Sequence, residues 1–202
     1  MDRDKLLKIA YNTMECRKAH LNREKGFIFY HGERTANLAL NLRKKIFPDE
    51  PSKDDIIYAA ALFHDIGKGI GHHNETGEVL AREFLENEMV KEDLETVCEI
   101  IKFHNKRKLS DDYSMEIKLV QDADLLDHLG TIEVWLNFFY YASQGGSVKD
   151  SITYWTGQEF KENRKIQREL LNYNLSKQIF DEKIKFEDDF IKRFSKEANG
   201  DI

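Results

Sequence analysis

Proline is the residue that most narrows what this chain can fold into. It occurs only at positions 48 and 51 of 202. A proline inside a helix removes a backbone hydrogen bond and strikes the preceding turn, so its confinement to one connection leaves long helices free to form on both sides. The apolar residues fall at helical spacing there. Leu6, Leu7, Ile9, Ala10, Tyr11 and Met14 predict a helix over 3–20, and Ala36, Leu38, Ala39, Leu42 and Ile46 form one stripe over 31–46 with His31 in its first turn. After the prolines, Ser52 is the expected N-cap of a helix through Asp55 to Leu62, its acidic first turn complementing the helix dipole. Further helices are expected over 75–87, 92–104 and 113–129; an aromatic helix then ends at Gly145-Gly146-Ser147, and two charged helices fill 156–197. The expected fold is all-α.

The 41% hydrophobic content suffices for one core. A single domain over 1–202 is expected, its core at about 27–145, with the helix over 3–20 and C-terminal helices over 150–197 packed on it. The net charge of −6 argues against a nucleic-acid polymer as partner, because phosphate backbones are held by clustered Lys and Arg. A small anionic substrate remains compatible where a metal supplies positive charge. Cys16 and Cys98 stand far apart and outside any Cys-x-x-Cys pattern, so neither a thiolate zinc site nor a disulfide framework is indicated, and a cytoplasmic location is expected. The N-terminal residues lack a signal peptide's apolar region, and no apolar run approaches the roughly 18 residues of a spanning helix, so no membrane partner is expected.

The chemistry concentrates in Ala59-Ala60-Ala61-Leu62-Phe63-His64-Asp65-Ile66-Gly67-Lys68-Gly69. An apolar helix runs there into an imidazole, a carboxylate and a glycine-flanked lysine. A buried charge must pair, neutralise or bind a metal, and His and Asp are ligands that zinc, manganese and iron share. His31, His73, His104 and Asp124 lie at or near the ends of other expected helices.

The order His31, His64-Asp65, Asp124 resembles the HD-domain metal-dependent phosphohydrolases, in which a histidine, a His-Asp doublet and a distant aspartate hold metal on an all-helical fold. Residues 60–68 are similar to the family's central motif, His31-Gly-Glu-Arg-Thr-Ala-Asn-Leu-Ala39 to its opening helix, and Gln121-Asp-Ala-Asp-Leu-Leu-Asp127 to its closing helix. The resemblance covers about residues 27–145 and implies an HD-type helical bundle with His31, His64, Asp65 and Asp124 as metal ligands. His73, which opens a His-x-x-x-Gly spacing ending at Gly77, and His104 resemble the extra ligands of the two-metal branch, which includes diadenosine tetraphosphate hydrolases and HD-GYP phosphodiesterases. Where the latter carry Gly-Tyr-Pro, this chain has Asn105-Lys106-Arg107-Lys108. Residues 121–130 look more like small bacterial HD hydrolases, among which nucleoside triphosphate pyrophosphohydrolases occur. In that group an arginine commonly follows the aspartate; Leu125 stands here. His72 and Asp122 are the neighbouring alternatives to His73 and Asp124. The glycine offset favours His73, and the family's Ala-Asp-apolar pattern favours Asp124, leaving Asp122 and Asp127 to orient ligands. His20 and His128 match no family position.

The resemblance implies one or two divalent ions. Iron or manganese comes first because the donors are nitrogen and oxygen without thiolate, with zinc, nickel, cobalt and magnesium compatible. The implied reaction is hydrolysis of a phosphoester or phosphoanhydride bond in a small nucleotide-like substrate by metal-bound hydroxide. Asp65 would ligate and steer the attacking water, and Lys68 would neutralise a phosphoryl oxygen in the transition state. Two other classes remain on the same scaffold: a di-iron oxygenase, separable by oxygen consumption, and a sensor or binding module holding metal for structure alone. Trp135, Phe138, Phe139, Tyr140 and Tyr141 are expected to be mostly core.

Overall fold

The computed structural model describes residues 1–17, 23–109 and 112–201. Its helices are α1 Arg3–Met14, α2 Phe27–Ile46, α3 Asp54–Phe63, α4 His73–Leu85, α5 Lys91–Phe103, α6 Met115–Asp127, α7 Thr131–Ser143, α8 Val148–Thr156, α9 Gln158–Leu170 and α10 Asn174–Ala198. Among the described residues there is no strand, so the fold is all-α. Two compact units divide the chain, Met1–Asp127 and His128–Ile202. His20 lies outside the described residues. Among the described residues no helix is long and apolar enough to cross a membrane.

In the first unit α3 is the hub. Every residue from Ile56 to Phe63 is buried, as a helix that is apolar all round requires, and α1, α2, α5 and α6 surround it. Its start differs from the sequence reading. Pro51–Lys53 forms a 3-10 turn, α3 begins at Asp54, and the cap position falls to Lys53, whose side chain makes no cap bond. The acidic first turn is stabilised through tertiary pairs instead: Arg43 grips Asp54 at 2.6 and 2.7 Å, and Arg3 donates to Asp55 at 2.9 Å. The second helix also differs, because Phe27, Ile28 and Phe29 are buried and carry it back to a left-handed Gly26. His31 therefore occupies the second turn, not the first.

A missing side chain sets the α2–α3 spacing. A Cβ on Gly32 would fall well inside van der Waals contact of the Leu62 carbonyl oxygen. Only glycine lets the backbones approach so closely, one residue from His31 and two from His64.

In the second unit Ser147 and Asp150 form a reciprocal capping box that starts α8. Phe138 packs edge-on against Phe190 and Phe194 of α10, while Trp155 stacks on Phe160. Glu187, buried on α10, accepts from the Gly130 amide at 2.5 Å and from Arg164 at 3.0 Å. The expectation of an aromatic core in α7 holds only in part. Its aromatics point in several directions, only Leu136 and Asn137 are fully buried there, and Trp135 and Tyr140 stay 49% and 46% exposed.

Candidate metal centre

The first unit brings all six sequence-predicted ligand residues to one place. His31 comes from the second turn of α2, His64 is the C-cap of α3 with Asp65 after it, and His73 opens α4. His104 is the C-cap of α5, and Asp124 lies in the last turn of α6. Five helices thus converge, and the chain between α3 and α4 makes that possible through glycine. A Cβ on Gly67 would overlap the His73 carbonyl and the Gly77 amide, and one on Gly77 would press on Ile101 at 3.1 Å. The His-x-x-x-Gly spacing thereby acquires a physical reason. His73 and Gly77 are one turn apart, and the bare turn at Gly77 lets α4 close over the end of α3.

Two of the groups that the donor atoms form share Asp65. His31 Nε2 lies 3.1 Å from His64 Nε2 and 3.1 Å from Asp124 Oδ1. Asp65 Oδ2 is 3.6 Å from His64 Nε2 and 3.8 Å from His31 Nε2. The other oxygen, Oδ1, faces His104 Nε2 at 3.7 Å and His73 Nε2 at 4.0 Å. Ligand atoms about 2.0 to 2.2 Å from one ion stand about 3 to 3.6 Å apart when adjacent in its shell, so the first group is nearly closed and the second slightly wide.

Hydrogen bonds set the tautomers that ligation needs. His64 Nδ1 donates to the Ala61 carbonyl at 2.7 Å, and His104 Nδ1 to the Ile101 carbonyl at 2.6 Å. Each bond leaves the Nε2 lone pair for the centre. His31 Nδ1 engages Asp127 Oδ2 at 2.8 Å, and Arg34 clamps that carboxylate with two bonds of 2.9 Å. His73 Nε2 accepts from the Asn105 amide at 3.1 Å, a bond that a metal on this nitrogen would have to replace. The two Nε2 atoms of His31 and His64 stand 3.1 Å apart, so either a proton or a metal ion must lie between their lone pairs. The residues present therefore fit a divalent metal.

Ionisation follows the same geometry. Burial alone would lower His31, but its bonds with Asp124 and Asp127 outweigh it and push the imidazole up to about 9. Burial works against the Asp65 and Asp124 carboxylates, yet His64, His104 and Lys68 around the first, and His31, His64 and Arg107 around the second, hold both well below the ordinary range. Burial, with His104 alongside, lowers His73, favouring the neutral ring that ligates. A proton on His31 is what a metal would displace.

Three neighbours of the centre were not predicted as site residues. Lys68, which was, turns back so that Nζ sits 2.6 Å from Asp65 Oδ2. Arg107 reaches from beyond α5 to Asp124 Oδ2 and to the Gln121 carbonyl at 3.3 Å. Leu125, by contrast, is buried, so the guanidinium beside Asp124 comes from another segment. Arg34 and the buried Asp127 complete the set, Asp127 having entered the sequence reading only as an orienting group. Its signal was the (i, i+3) spacing from Asp124, which puts both carboxylates on one helix face. Asp122 is buried but belongs to neither donor group, and His72 is an exposed cap residue outside them.

Residues 28–130 match the family model of the HD domain. The chain belongs to that family. Among solved structures, an HD-superfamily hydrolase from Bacillus thuringiensis is 27% identical with a TM-score of 0.72, the alignment covering 97% of this chain and 96% of that one. YpgQ from Bacillus subtilis, in complex with ADP, is 21% identical with a TM-score of 0.68 and full coverage of both chains. A Listeria innocua protein is 23% identical with a TM-score of 0.65, covering 98% of each. The last two likenesses concern the fold alone. No curated protein is a sequence match to the chain. HD membership and the first likeness support a metal-dependent hydrolase at the level of the superfamily.

Proposed function

We propose that this HD protein hydrolyses a phosphoester or phosphoanhydride bond in a small nucleotide-like substrate, with His31, His64, Asp65 and Asp124 holding one divalent ion and Asp65, His73 and His104 a second. The observation that carries the reading is the division of Asp65: each of its oxygens faces a different pair of imidazoles, while Lys68 pairs with one of them. When bound, a divalent ion supplies Lewis acidity, polarising a phosphoryl oxygen and lowering the pKa of water.

The chain's own residues would do the rest. Asp65 fixes the spacing of the two imidazole pairs and offers a carboxylate oxygen to orient the attacking water. Lys68, whose side chain is 23% exposed and bonded to the buried Asp65, neutralises charge developing on the phosphoryl group. The carbonyl bonds to His64 and His104 keep both rings in the ligating tautomer, so they need no reorganisation during turnover. The ADP held by YpgQ supports a nucleotide as substrate.

The test is a panel of nucleotides, dinucleotides and simple phosphomonoesters, given to metal-stripped protein reloaded with manganese, iron, cobalt, nickel, zinc or magnesium, with oxygen uptake followed in parallel. Release of phosphate or pyrophosphate without oxygen uptake is the expected result. Lys68→Ala should lower kcat on the order of 100- to 1,000-fold, as loss of one oxyanion donor does, with metal content unchanged. Oxygen uptake without phosphate release would replace this reading with the oxygenase one.

A further inference from the structure

Each of the two candidate ligand carboxylates also carries a cation. Lys68 Nζ takes Oδ2 of Asp65, and Arg107 Nη2 takes Oδ2 of Asp124. The exposures are graded: the His31 and His64 side chains are at 0%, Asp65 at 3% and Asp124 at 12%, while Arg107 is at 16% and Lys68 at 23%. The two cations are thus more exposed than these four donors, though less than His73 at 31%, and they stand on separate carboxylates and come from separate segments.

Arg107 is also held in a particular way. Its Nε and Nη2 both donate to the Gln121 carbonyl, and Nη2 donates to Asp124 as well, so one edge of the planar group is fixed to α6. The Gln121 side chain in turn donates to the Phe103 carbonyl at 2.9 Å, tying α6 to the end of α5 from which the arginine departs. Among the described residues, no hydrogen bond to protein engages Nη1. A guanidinium anchored on one edge and open on the other loses little freedom when it takes an oxyanion.

Charge compensation points the same way. Without a metal, Lys68 and Arg107 balance Asp65 and Asp124. A divalent ion binding the same carboxylates neutralises them and leaves both cations in surplus, which raises their attraction for an anion when metal is present. Two cations on two carboxylates match two linked phosphoryl groups better than one.

We infer that Arg107 is a phosphate-binding residue that holds a second phosphoryl group while Lys68 holds the first, so that the site selects compounds with at least two linked phosphoryl groups. This rests on the phosphohydrolase reading above. It names the substrate class, nucleoside di- or triphosphates over monophosphates, and makes Arg107 the residue that discriminates.

Calorimetric titration of manganese-loaded full-length protein with the non-hydrolysable α,β-methylene analogue of ADP, and with AMP, tests it. Wild type should bind the analogue at least about tenfold more tightly than AMP. Arg107→Gln should lose on the order of 10- to 100-fold in affinity for the analogue, the value of one charge-assisted bond, with AMP affinity within about threefold and metal content unchanged. Arg107→Lys, which keeps a charge beside Asp124, should recover part of that loss without the planar fork. Unchanged analogue affinity, equal losses for AMP and the analogue, or loss of metal in both variants would overturn the inference; the last would make Arg107 a group that positions Asp124. A wild type that turns over nucleotides while the variants bind normally defeats this inference alone, whereas a wild type inert across the whole panel defeats the underlying reading too.

Discussion

Asp127→Asn isolates the part of the centre that acts only through another residue. Asp127 is buried, touches His31 Nδ1 at 2.8 Å, and is clamped by Arg34. Burial alone would raise its carboxyl, but the bonds from His31 and Arg34 hold it down at about 2 against an ordinary 3.8. That depression corresponds to about 2.5 kcal/mol of folded-state stability, complete above the unfolded value and lost as pH falls through the folded one. The rise of His31 to about 9, which comes first from Asp124, includes the same interaction seen from the other partner, so the two are not added. An asparagine keeps the volume and an acceptor, so the expected loss at neutral pH in metal-stripped protein is about 1 to 2.5 kcal/mol, or roughly 3 to 10 °C in Tm for a chain of this size. Metal affinity should fall as well, by about 10- to 100-fold, because a carboxylate behind a ligating histidine fixes its ring and raises its basicity. Thermal melts of chelator-treated protein and manganese competition against a chelating dye measure the two effects. A variant that melts at the wild-type temperature and holds manganese within twofold of wild type would refute the claim that Asp127 orients His31.

Metal titration should show two steps, the group of His31, His64, Asp65 and Asp124 filling first, because its donors already stand at about the spacing of adjacent ligands while the His73 and His104 group is wider. His64→Ala should abolish stoichiometric metal by elemental analysis, whereas His73→Ala should remove only the weaker step; retention of both steps in either variant contradicts the assignment. Gly32→Ala should destabilise the fold by about 1 to 3 kcal/mol in chemical denaturation, since its methyl group meets the Leu62 carbonyl, and should weaken metal binding by parting His31 from His64. Burial raises the Glu187 carboxyl to about 7 from 4.5 in spite of Arg164 and the Gly130 amide. Its contribution to stability is complete below the unfolded value and lost as pH rises through the folded one, about 3 kcal/mol in all. Denaturant melts of wild type between pH 4.5 and 8 should decline accordingly, and an equally steep decline in Glu187→Gln would show that another group is responsible.

How much of this was legible in the sequence depends on the range of the interaction. The scarcity of proline and the helical spacing of apolar residues determined the all-α class, because those are properties of local backbone sterics and of one helix face at a time. The candidate ligand residues stood out for a related reason: a histidine or aspartate at the end of an apolar helix is already an anomaly in one dimension. Helix starts were less legible. α2 begins at Phe27 because three apolar residues found burial, and α3 begins at Asp54 because Arg43 and Arg3 lie nearby, facts that no local cap signal carries. Trp135 and Tyr140 stay half exposed, since aromatic spacing indicates a face without saying what covers it.

The residues behind the ligands were decided by tertiary structure alone. Arg107 is 17 positions from Asp124, and Arg34 is 93 from Asp127, so each pair exists only once α2, α5 and α6 have packed. The glycines show the same division. Gly67 and Gly77 were visible as turn and spacing, but that a side chain at Gly67 would strike the backbone of α4 follows only from the packed structure. By itself the sequence determined which groups were present to do chemistry and that helices would carry them. The closeness of helix approach, and with it which cation stands on which carboxylate, was decided by packing, because those distances are set by side chains far apart in the chain competing for one volume.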